Sequence, residues 1–150
     1  MSAILRTLSA VLCCILIFWA CKKSSSDGSD NGATIFNVSQ TRNTTTSTFR
    51  FTVYLDKAAA QEVTLSYSTE AGTALANTDF KPISGTVVIP ANQSQGYIDV
   101  EVTGDSLRRE DQLFYVNLSN AKNCTIKVGK GTGTIVNANG LYFPVNNTGK

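Results

Sequence analysis

The sequence contains no histidine, and this absence removes several classes of function at once. Without histidine a chain cannot form the Ser–His–Asp or Cys–His pairs of many hydrolases, and it cannot form a metal site with imidazole ligands. A pair of carboxylates could still cleave a glycosidic bond, but a single small domain offers little room for the cleft that such an enzyme needs. We therefore expect a protein that is not an enzyme.

Cysteine is equally scarce in the part of the chain that is expected to fold. Cys13 and Cys14 lie in an apolar N-terminal stretch and Cys21 follows it directly, which leaves Cys124 alone in the remainder. A disulfide framework is therefore excluded within one molecule of the folded part. Cys124 is predicted to be a packed, unreactive side chain rather than a reactive thiol.

Neither sign of charge dominates, since 13 lysine and arginine residues stand against 11 aspartate and glutamate residues. No run of basic residues is interleaved with aromatic residues, as a nucleic-acid-binding surface would require. The composition predicts a protein that does not bind nucleic acid.

The N-terminal segment has the pattern of an export signal. Arg6 precedes an apolar run from Leu8 to Trp19, which is shorter than the roughly 20 residues that a membrane-spanning helix needs. The residues Phe18-Trp19-Ala20-Cys21 resemble the lipobox of bacterial lipoproteins. That resemblance implies a signal peptide over residues 1–20 and a mature N-terminus at Cys21 that carries acyl chains such as palmitate. An ordinary signal peptide and an uncleaved anchor are the alternatives.

Residues 21–33 form a tether in this interpretation. They are rich in serine, glycine and aspartate and hold too little apolar surface to order themselves, so they would span roughly 20 Å on average. Two or more acyl chains would hold the protein stably on a membrane without a spanning segment. The expected location is the bacterial cell envelope, at the outer membrane or the cell surface, with the membrane bound through the lipid anchor.

From residue 34 the chain shows repeated alternation of apolar and polar residues, which is typical of strands with one buried face. Ile98, Val100 and Val102, for example, alternate with polar or amphipathic neighbours. Short strands with one wet face each predict two sheets packed on a shared apolar layer, an all-β, immunoglobulin-like sandwich of about seven antiparallel strands over residues 34–140, followed by a tail over 141–150. The strands are predicted at residues 35–38, 49–55, 63–67, 86–89, 98–102, 114–118 and 132–136.

A series of short motifs resembles the Calx-beta domain family in order and spacing. The matching elements are Gly72-Thr73-Ala74, Asp79-Phe80, Gly85-Thr86-Val87, Ile98-x-Val100-x-Val102, and the run Asp105, Glu110, Asp111, Phe114, Val116, Leu118 and Ser119. The resemblance covers residues 36–137 and implies the sandwich of that family. It also implies a calcium site at one end of the sandwich.

The acidic loops support a metal at this end. Alternate strands of a sandwich run in opposite directions, so the turns after the third and fifth predicted strands meet at one pole. Several close carboxylates favour a hard divalent cation with oxygen ligands. The resemblance assigns the predicted calcium ligands Asp79, Asp105, Glu110 and Asp111, with Glu70 nearby, and we expect one weak site with an affinity of about 10⁻⁴–10⁻³ M.

The chain departs from the family pattern at the same pole. Where the family has an acidic residue after the first strand, this chain has Gln40, Arg42 and Asn43, and Asn137-Ala138-Asn139 stands where aspartates are usual. Arg108 and Arg109 lie in one of the acidic loops. The alternative is therefore a salt-bridged loop end without a metal.

The expected function is that of a binding or adhesion module whose ligand is a protein or a glycan. Outward-facing Tyr54, Tyr97 and Tyr115 form either a ligand-binding patch or isolated surface tyrosines. The alternative function is a purely structural or assembly subunit of the envelope that holds no metal.

Overall fold

The computed structural model describes residues 31–106 and 110–137, and these residues form nine β-strands. The strands are β1 (Gly32–Ile35), β2 (Val38–Thr41), β3 (Ser47–Leu55), β4 (Val63–Ala71), β5 (Ser84–Ile89), β6 (Gln95–Val102), β7 (Gln112–Lys122), β8 (Thr125–Val128) and β9 (Lys130–Val136). The described residues contain no helix of the length and apolarity that crossing a bilayer requires.

Alternation along the strands places the core as the sequence predicts. On β3 the side chains of Phe49, Phe51 and Val53 are fully buried, while Arg50 and Tyr54 between and beside them are exposed. The same alternation runs along the whole of β6, where every second residue is buried. Because the side-chain period of a strand is two, each strand contributes one apolar face to the layer between the sheets.

The strands form two sheets that enclose this layer. The four-stranded sheet has the order β6-β3-β1-β8, and the five-stranded sheet has the order β2-β9-β7-β4-β5. The all-β sandwich is confirmed. Residues 31–106 and 110–137 contain nine strands rather than about seven, and two pairings, β1 with β8 and β2 with β9, are parallel.

The additional strands arise because the chain crosses from one sheet to the other at residues 36–37. The predicted strand over 35–38 is therefore divided: β1 pairs with β3 in one sheet, and β2 pairs with β9 in the other. Asn37 marks the crossing, since its side-chain Oδ1 accepts a hydrogen bond from the N–H of Thr132 at 2.9 Å. The short strand β8, which was not predicted, follows a turn in which Asn123 has a φ of 62°.

The sandwich begins earlier than the predicted boundary at residue 34. The side chain of Asn31 imitates a strand neighbour, because its Nδ2 donates to the carbonyl of Lys57 at 2.8 Å and its Oδ1 accepts from the N–H of Lys57 at 3.1 Å. Gly32 then donates its N–H to Asp56 Oδ2 at 3.0 Å. Residues 31–33 of the predicted tether therefore belong to the domain, while residues 1–30, with the signal peptide and Cys21, lie outside the described residues, as does the tail over 141–150.

A cluster of phenylalanines fills the centre of the core. The ring of Phe114 stacks on Phe80 with centroids 4.8 Å apart and meets Phe49 and Phe51 at 5.7 and 5.8 Å. Gly133 on the neighbouring strand leaves the room for this ring, since a Cβ at that position would overlap the Phe114 side chain. The stacking of Phe114 on Phe80 fixes the position of Phe80, which follows Asp79 directly in the chain.

Candidate functional site

One end of the sandwich brings together segments that are distant in the sequence. β2, β6 and β9 end at this end, and β3 and β7 begin there. We call it the Arg42 pole, after the residue that follows β2. The chain enters the sandwich at the other end, because β1 begins beside the last residues of β3.

The loop after β4 is fixed against the start of β7. Gly72 packs so closely that a Cβ would lie 2.6 Å from the carbonyl oxygen of Leu113. The hydroxyl of Thr73 accepts the N–H of Leu113 at 2.8 Å, and the N–H of Ala74 donates to the carbonyl of the same residue at 2.8 Å. These contacts give each residue of the Gly72-Thr73-Ala74 motif a packing role and set the start of the turn that carries Asp79.

Asp79 is a buried carboxylate with donors on both oxygens. Its side chain is only 1% exposed. Oδ1 accepts from Arg42 Nη2 at 2.9 Å, whereas Oδ2 accepts from the N–H of Leu75 at 2.8 Å and from Gln112 Nε2 at 2.9 Å. The backbone is held as well, since the carbonyl of Asp79 accepts the N–H of Thr103 at 2.9 Å.

Arg42 is the cation of this pole. The crossing between the sheets directs β2 along β9, and the N–H of Arg42 donates to the carbonyl of Val136 at 2.7 Å. Its side chain is 2% exposed and lies between two carboxylates, with Nη2 2.9 Å from Asp79 Oδ1 and Nη1 3.5 Å from Asp105 Oδ2. The Asp105 loop is attached to the same segment, because the N–H of Asp105 donates to the carbonyl of Asn43 at 3.0 Å.

The environment of Asp79 favours its ionised form. Burial alone would raise the pKa of this carboxyl group. The hydrogen bond from the N–H of Leu75, the hydrogen bond and charge of Arg42 and the hydrogen bond from Gln112 outweigh burial, so the pKa lies below its ordinary value. Asp79 and Arg42 therefore form a charged pair at neutral pH.

The other two predicted ligands meet a different partner. The carboxylate of Asp111 accepts the N–H of Asn137 at 3.0 Å, and the backbone carbonyl of Glu110 accepts the side-chain amide of the same asparagine. Asn137 is buried and follows β9 directly. The contacts of Asp111 and Glu110 thus join the start of β7 to the end of β9.

Sequence comparison identifies the architecture. The model of the Calx-beta domain matches residues 28–139, which is well over half of the chain. The chain belongs to the Calx-beta domain family. Sodium/calcium exchanger 1 of Canis lupus familiaris and of Bos taurus are each 40% identical to this chain over 60 residues, a segment that covers 40% of this chain and 6% of the exchanger. The chain therefore spans a small part of the curated relatives that it matches.

Solved Calx domains share the fold of this Calx-beta chain. The apo form of the Calx CBD1 domain superimposes with a TM-score of 0.59 at 23% identity, over 71% of this chain and 96% of that domain. The Calx CBD2 domain gives a TM-score of 0.64 at 15% identity, over 71% and 86% respectively. The calcium binding domain CBD12 of CALX1.1 gives 0.62 at 23% identity, over 71% of this chain and 46% of that structure.

The carboxylates predicted as calcium ligands in this Calx-beta domain contact two different partners. Arg42 brings Asp79 and Asp105 together, whereas Glu110 and Asp111 contact Asn137. Within residues 31–106 and 110–137 no group of three or more Asp, Glu, Cys or His side chains has an arrangement that could hold a metal ion. Arg108 and Arg109 lie outside the described residues.

Glu70 lies one residue before the end of β4 and has contacts different from those of the predicted calcium ligands. It lies on β4 and faces the neighbouring strands, where its Oε2 accepts from Asn117 Nδ2 at 2.7 Å and pairs with Lys130 Nζ at 3.2 Å. These contacts lower the pKa of Glu70, the hydrogen bond from Asn117 most strongly. The strand β4 is longer than predicted, which is why Glu70 belongs to the sheet and not to a loop.

Two polar residues of the pole were not predicted from the sequence as functional. Arg42 carries a signal that could have identified it, because a basic residue stands where the family pattern has an acidic one. Gln112 carries no such signal. Its role depends on the register that places the first residue of β7 beside Asp79.

The outer face of the four-stranded sheet carries a group of exposed rings, which we call the aromatic face: Phe36, Tyr54 and Tyr97, exposed by 52, 39 and 54%. Phe36 meets Tyr54 edge-on with ring centroids 5.2 Å apart. Tyr97 lies opposite Thr52, whose carbonyl accepts the N–H of Phe36, so the three rings occupy two adjoining rows of the sheet.

Polar side chains frame the aromatic face. Arg50 forms two hydrogen bonds to Asp99, at 2.8 and 2.7 Å, and its guanidinium carbon lies 5.5 Å from the centre of the Tyr97 ring. The hydroxyl of Tyr97 donates to Gln95 Oε1 at 2.9 Å. Tyr115, the third tyrosine of the predicted patch, is on the other sheet and packs against Lys130.

Cys124 is half-buried at the edge of the core, as expected for a packed side chain. Burial raises the pKa of its thiol, so less of the reactive thiolate is present at neutral pH than in an exposed cysteine.

Proposed function

We propose that this protein is a non-catalytic binding module, held on a bacterial envelope membrane by acyl chains on Cys21, which presents the aromatic face to a glycan. The observation that carries the proposal is the exposure of Phe36, Tyr54 and Tyr97 beside hydrogen-bonding side chains on one sheet face. Single exposed apolar residues need no explanation, but a pair of rings in contact beside a third exposed ring and polar side chains is typical of a binding surface.

The chemistry of the aromatic face suits a sugar better than an apolar protein surface. Part of the Tyr97 ring is exposed beside Arg50 and offers apolar surface for the CH groups of a pyranose. The remaining lone pairs of Asp99 and the NH2 group of Gln95 offer hydrogen bonds for its hydroxyl groups. A protein partner is the alternative ligand.

The direction in which the chain enters the sandwich supports the tethered arrangement. The N-terminal residues Asn31 and Gly32 lie at the end opposite the Arg42 pole. A lipid anchor on Cys21 would therefore be joined to the domain at the end opposite the Arg42 pole. The aromatic face would lie on one side of the domain, between its two ends.

Calcium is not required in this proposal. The predicted weak site would need the oxygens of Asp79 and Asp105, and the described residues do not fit a calcium ion as they lie, since a guanidinium contacts both carboxylates. The relatives named above include a calcium binding domain, but the residues of this chain at the Arg42 pole supply their own positive charge.

Binding to an array of oligosaccharides and polysaccharides tests the ligand class. We expect the full-length protein to bind one group of glycans, and Tyr97→Ala to weaken this binding about tenfold, since the loss of one stacked ring costs about 1–2 kcal/mol. Leu75→Ala removes an exposed apolar side chain from a loop of the other sheet and is the matched control. Adhesion of whole cells that depends on Tyr97 without any glycan signal would favour a protein ligand.

A structural or assembly subunit of the envelope is the second candidate, favoured by the number of polar contacts that fix the Arg42 pole. It predicts that the envelope of a deletion strain is damaged and that Tyr97→Ala restores it as well as the wild type does. Binding that is lost in Tyr97→Ala cells with an intact envelope would exclude this candidate.

A further inference from the structure

The side chain of Arg42 is a charged group that is almost completely buried. Its side chain is 2% exposed, against 62% for Arg50 in the other arginine–aspartate pair of the described residues. A buried charge is tolerated only where it is compensated, since the loss of hydration costs several kcal/mol per ion. The charge of Arg42 is therefore compensated by Asp79 and Asp105, and their charges are compensated by Arg42.

The guanidinium of Arg42 uses its two terminal nitrogens for the carboxylates of Asp79 and Asp105. Its Nε and the Oε1 of Gln112 are both buried, and neither has a hydrogen-bond partner among the described residues. The side-chain contacts of Arg42 are with two carboxylates, which compensate its positive charge.

The donors around Asp79 exclude the arrangement that a metal needs. Calcium takes six to eight oxygen ligands at about 2.3–2.6 Å, with the oxygens directed at the ion. Here the oxygens of Asp79 accept N–H groups from Arg42, Leu75 and Gln112. A calcium ion would have to displace the guanidinium, which remains charged at any physiological pH and would be left buried without its partner.

The guanidinium also joins the segments that form the pole. Arg42 follows β2, Asp79 lies in the turn after β4, and Asp105 lies in the loop after β6. We infer that Arg42 is an internal cation that takes the place of a divalent metal, so that this Calx-beta domain holds its loops together in the absence of calcium. This inference is independent of the proposed ligand of the aromatic face.

Thermal unfolding of the full-length protein in detergent tests the inference. We expect the Tm of the wild type to agree within about 1 °C in chelator and in about 5 mM calcium, a concentration above the range of weak extracellular sites. A rise in Tm of several degrees in calcium would overturn the inference, since it would mean that a metal still finds a site in the presence of Arg42.

Substitution of the two arginines separates a buried cation from an exposed one. Arg42→Gln is expected to lower the Tm by roughly 10–20 °C, because it removes the buried guanidinium that contacts both carboxylates. Arg50→Gln, which breaks the exposed pair with Asp99, is expected to lower it by less than about 4 °C. Equal falls for the two variants would refute a special role of Arg42.

Arg42→Asp supplies the remaining arm and remains informative if Arg42→Gln does not fold. It removes the internal cation and adds a third carboxylate at the same point, so its Tm, or its refolding yield if it is unfolded in chelator, is expected to rise with calcium. Magnesium, which demands a stricter octahedral geometry, is expected to be less effective. A response to neither ion would show that the pole is not a cation position, and the inference would fail.

Discussion

Replacement of Asp79 by asparagine is the most direct measure of what the buried pair contributes to stability. The two side chains have nearly the same shape, so the change removes the charge and replaces one acceptor oxygen by an NH2 group. If the asparagine keeps its oxygen towards the N–H of Leu75 and Gln112 Nε2, its NH2 group faces Arg42 Nη2, where the carboxylate oxygen now lies at 2.9 Å. Two donors would then face each other.

The expected magnitude follows from the burial of both partners. With side chains 2% and 1% exposed, Arg42 would remain as a buried charge beside Asp105 alone, and removal of one partner of a buried pair costs about 3–5 kcal/mol. For a domain of this size about 1 kcal/mol corresponds to about 4 °C, so the Tm should fall by roughly 12–20 °C. Urea unfolding followed by circular dichroism would measure the free energy directly, with an unchanged m-value as the sign that the fold is retained.

Asp99→Asn is the matched control, because the Asp99–Arg50 pair is shorter than the Asp79–Arg42 pair but much more exposed to water. The Asp99–Arg50 pair is shorter, at 2.7 Å, but its side chains are 43% and 62% exposed. Exposed pairs contribute about 0.2–1 kcal/mol, because water screens the charges and the side chains lose freedom on pairing. If Asp79→Asn were no more destabilising than Asp99→Asn, the reasoning from burial would be wrong.

Three further predictions concern pH, the core and the anchor. The pKa of Asp79 is lower in the folded state than the unfolded value of about 3.9. Its contribution to stability is therefore complete above that value and is lost as the pH falls through the folded pKa. The difference in unfolding free energy between wild type and Asp79→Asn should shrink below about pH 4. Gly133→Ala would drive a methyl group into the Phe114 ring and should destabilise the protein by about 1–3 kcal/mol in urea unfolding. Cys21→Ser should abolish metabolic labelling with a radioactive fatty acid.

Each of these three predictions has a control variant or an outcome that would contradict it. A constant difference between wild type and Asp79→Asn down to pH 2 would contradict the lowered pKa. Gly85→Ala should cost less than Gly133→Ala, because the atoms nearest its Cβ lie on the Tyr67 phenol at 3.0–3.4 Å, whereas a Cβ at position 133 would lie 2.4 Å from the Phe114 ring. Cys124→Ser should leave fatty-acid labelling intact, and a wild type that takes up no label would overturn the anchor.

The sequence by itself determined the fold class, because alternation along a strand is a local property. The buried positions Phe49, Val100 and Val116 all follow from a period of two and need no knowledge of the partner strand. The order of the Calx-beta motifs likewise lies in the sequence alone, and the prediction that Asp79 and Asp105 meet at one pole is consistent with their shared contact with Arg42.

Only the tertiary structure decided what those carboxylates contact. The crossing between the sheets at residues 36–37 places Arg42, rather than its neighbours in the segment, between Asp79 and Asp105. Alternation contains no information about which sheet a strand joins. Register decided the rest, since one residue of slip on β7 would turn Gln112 away from Asp79. Local patterns identify which side chains are buried, whereas the charge that a buried side chain meets depends on segments far away in the chain.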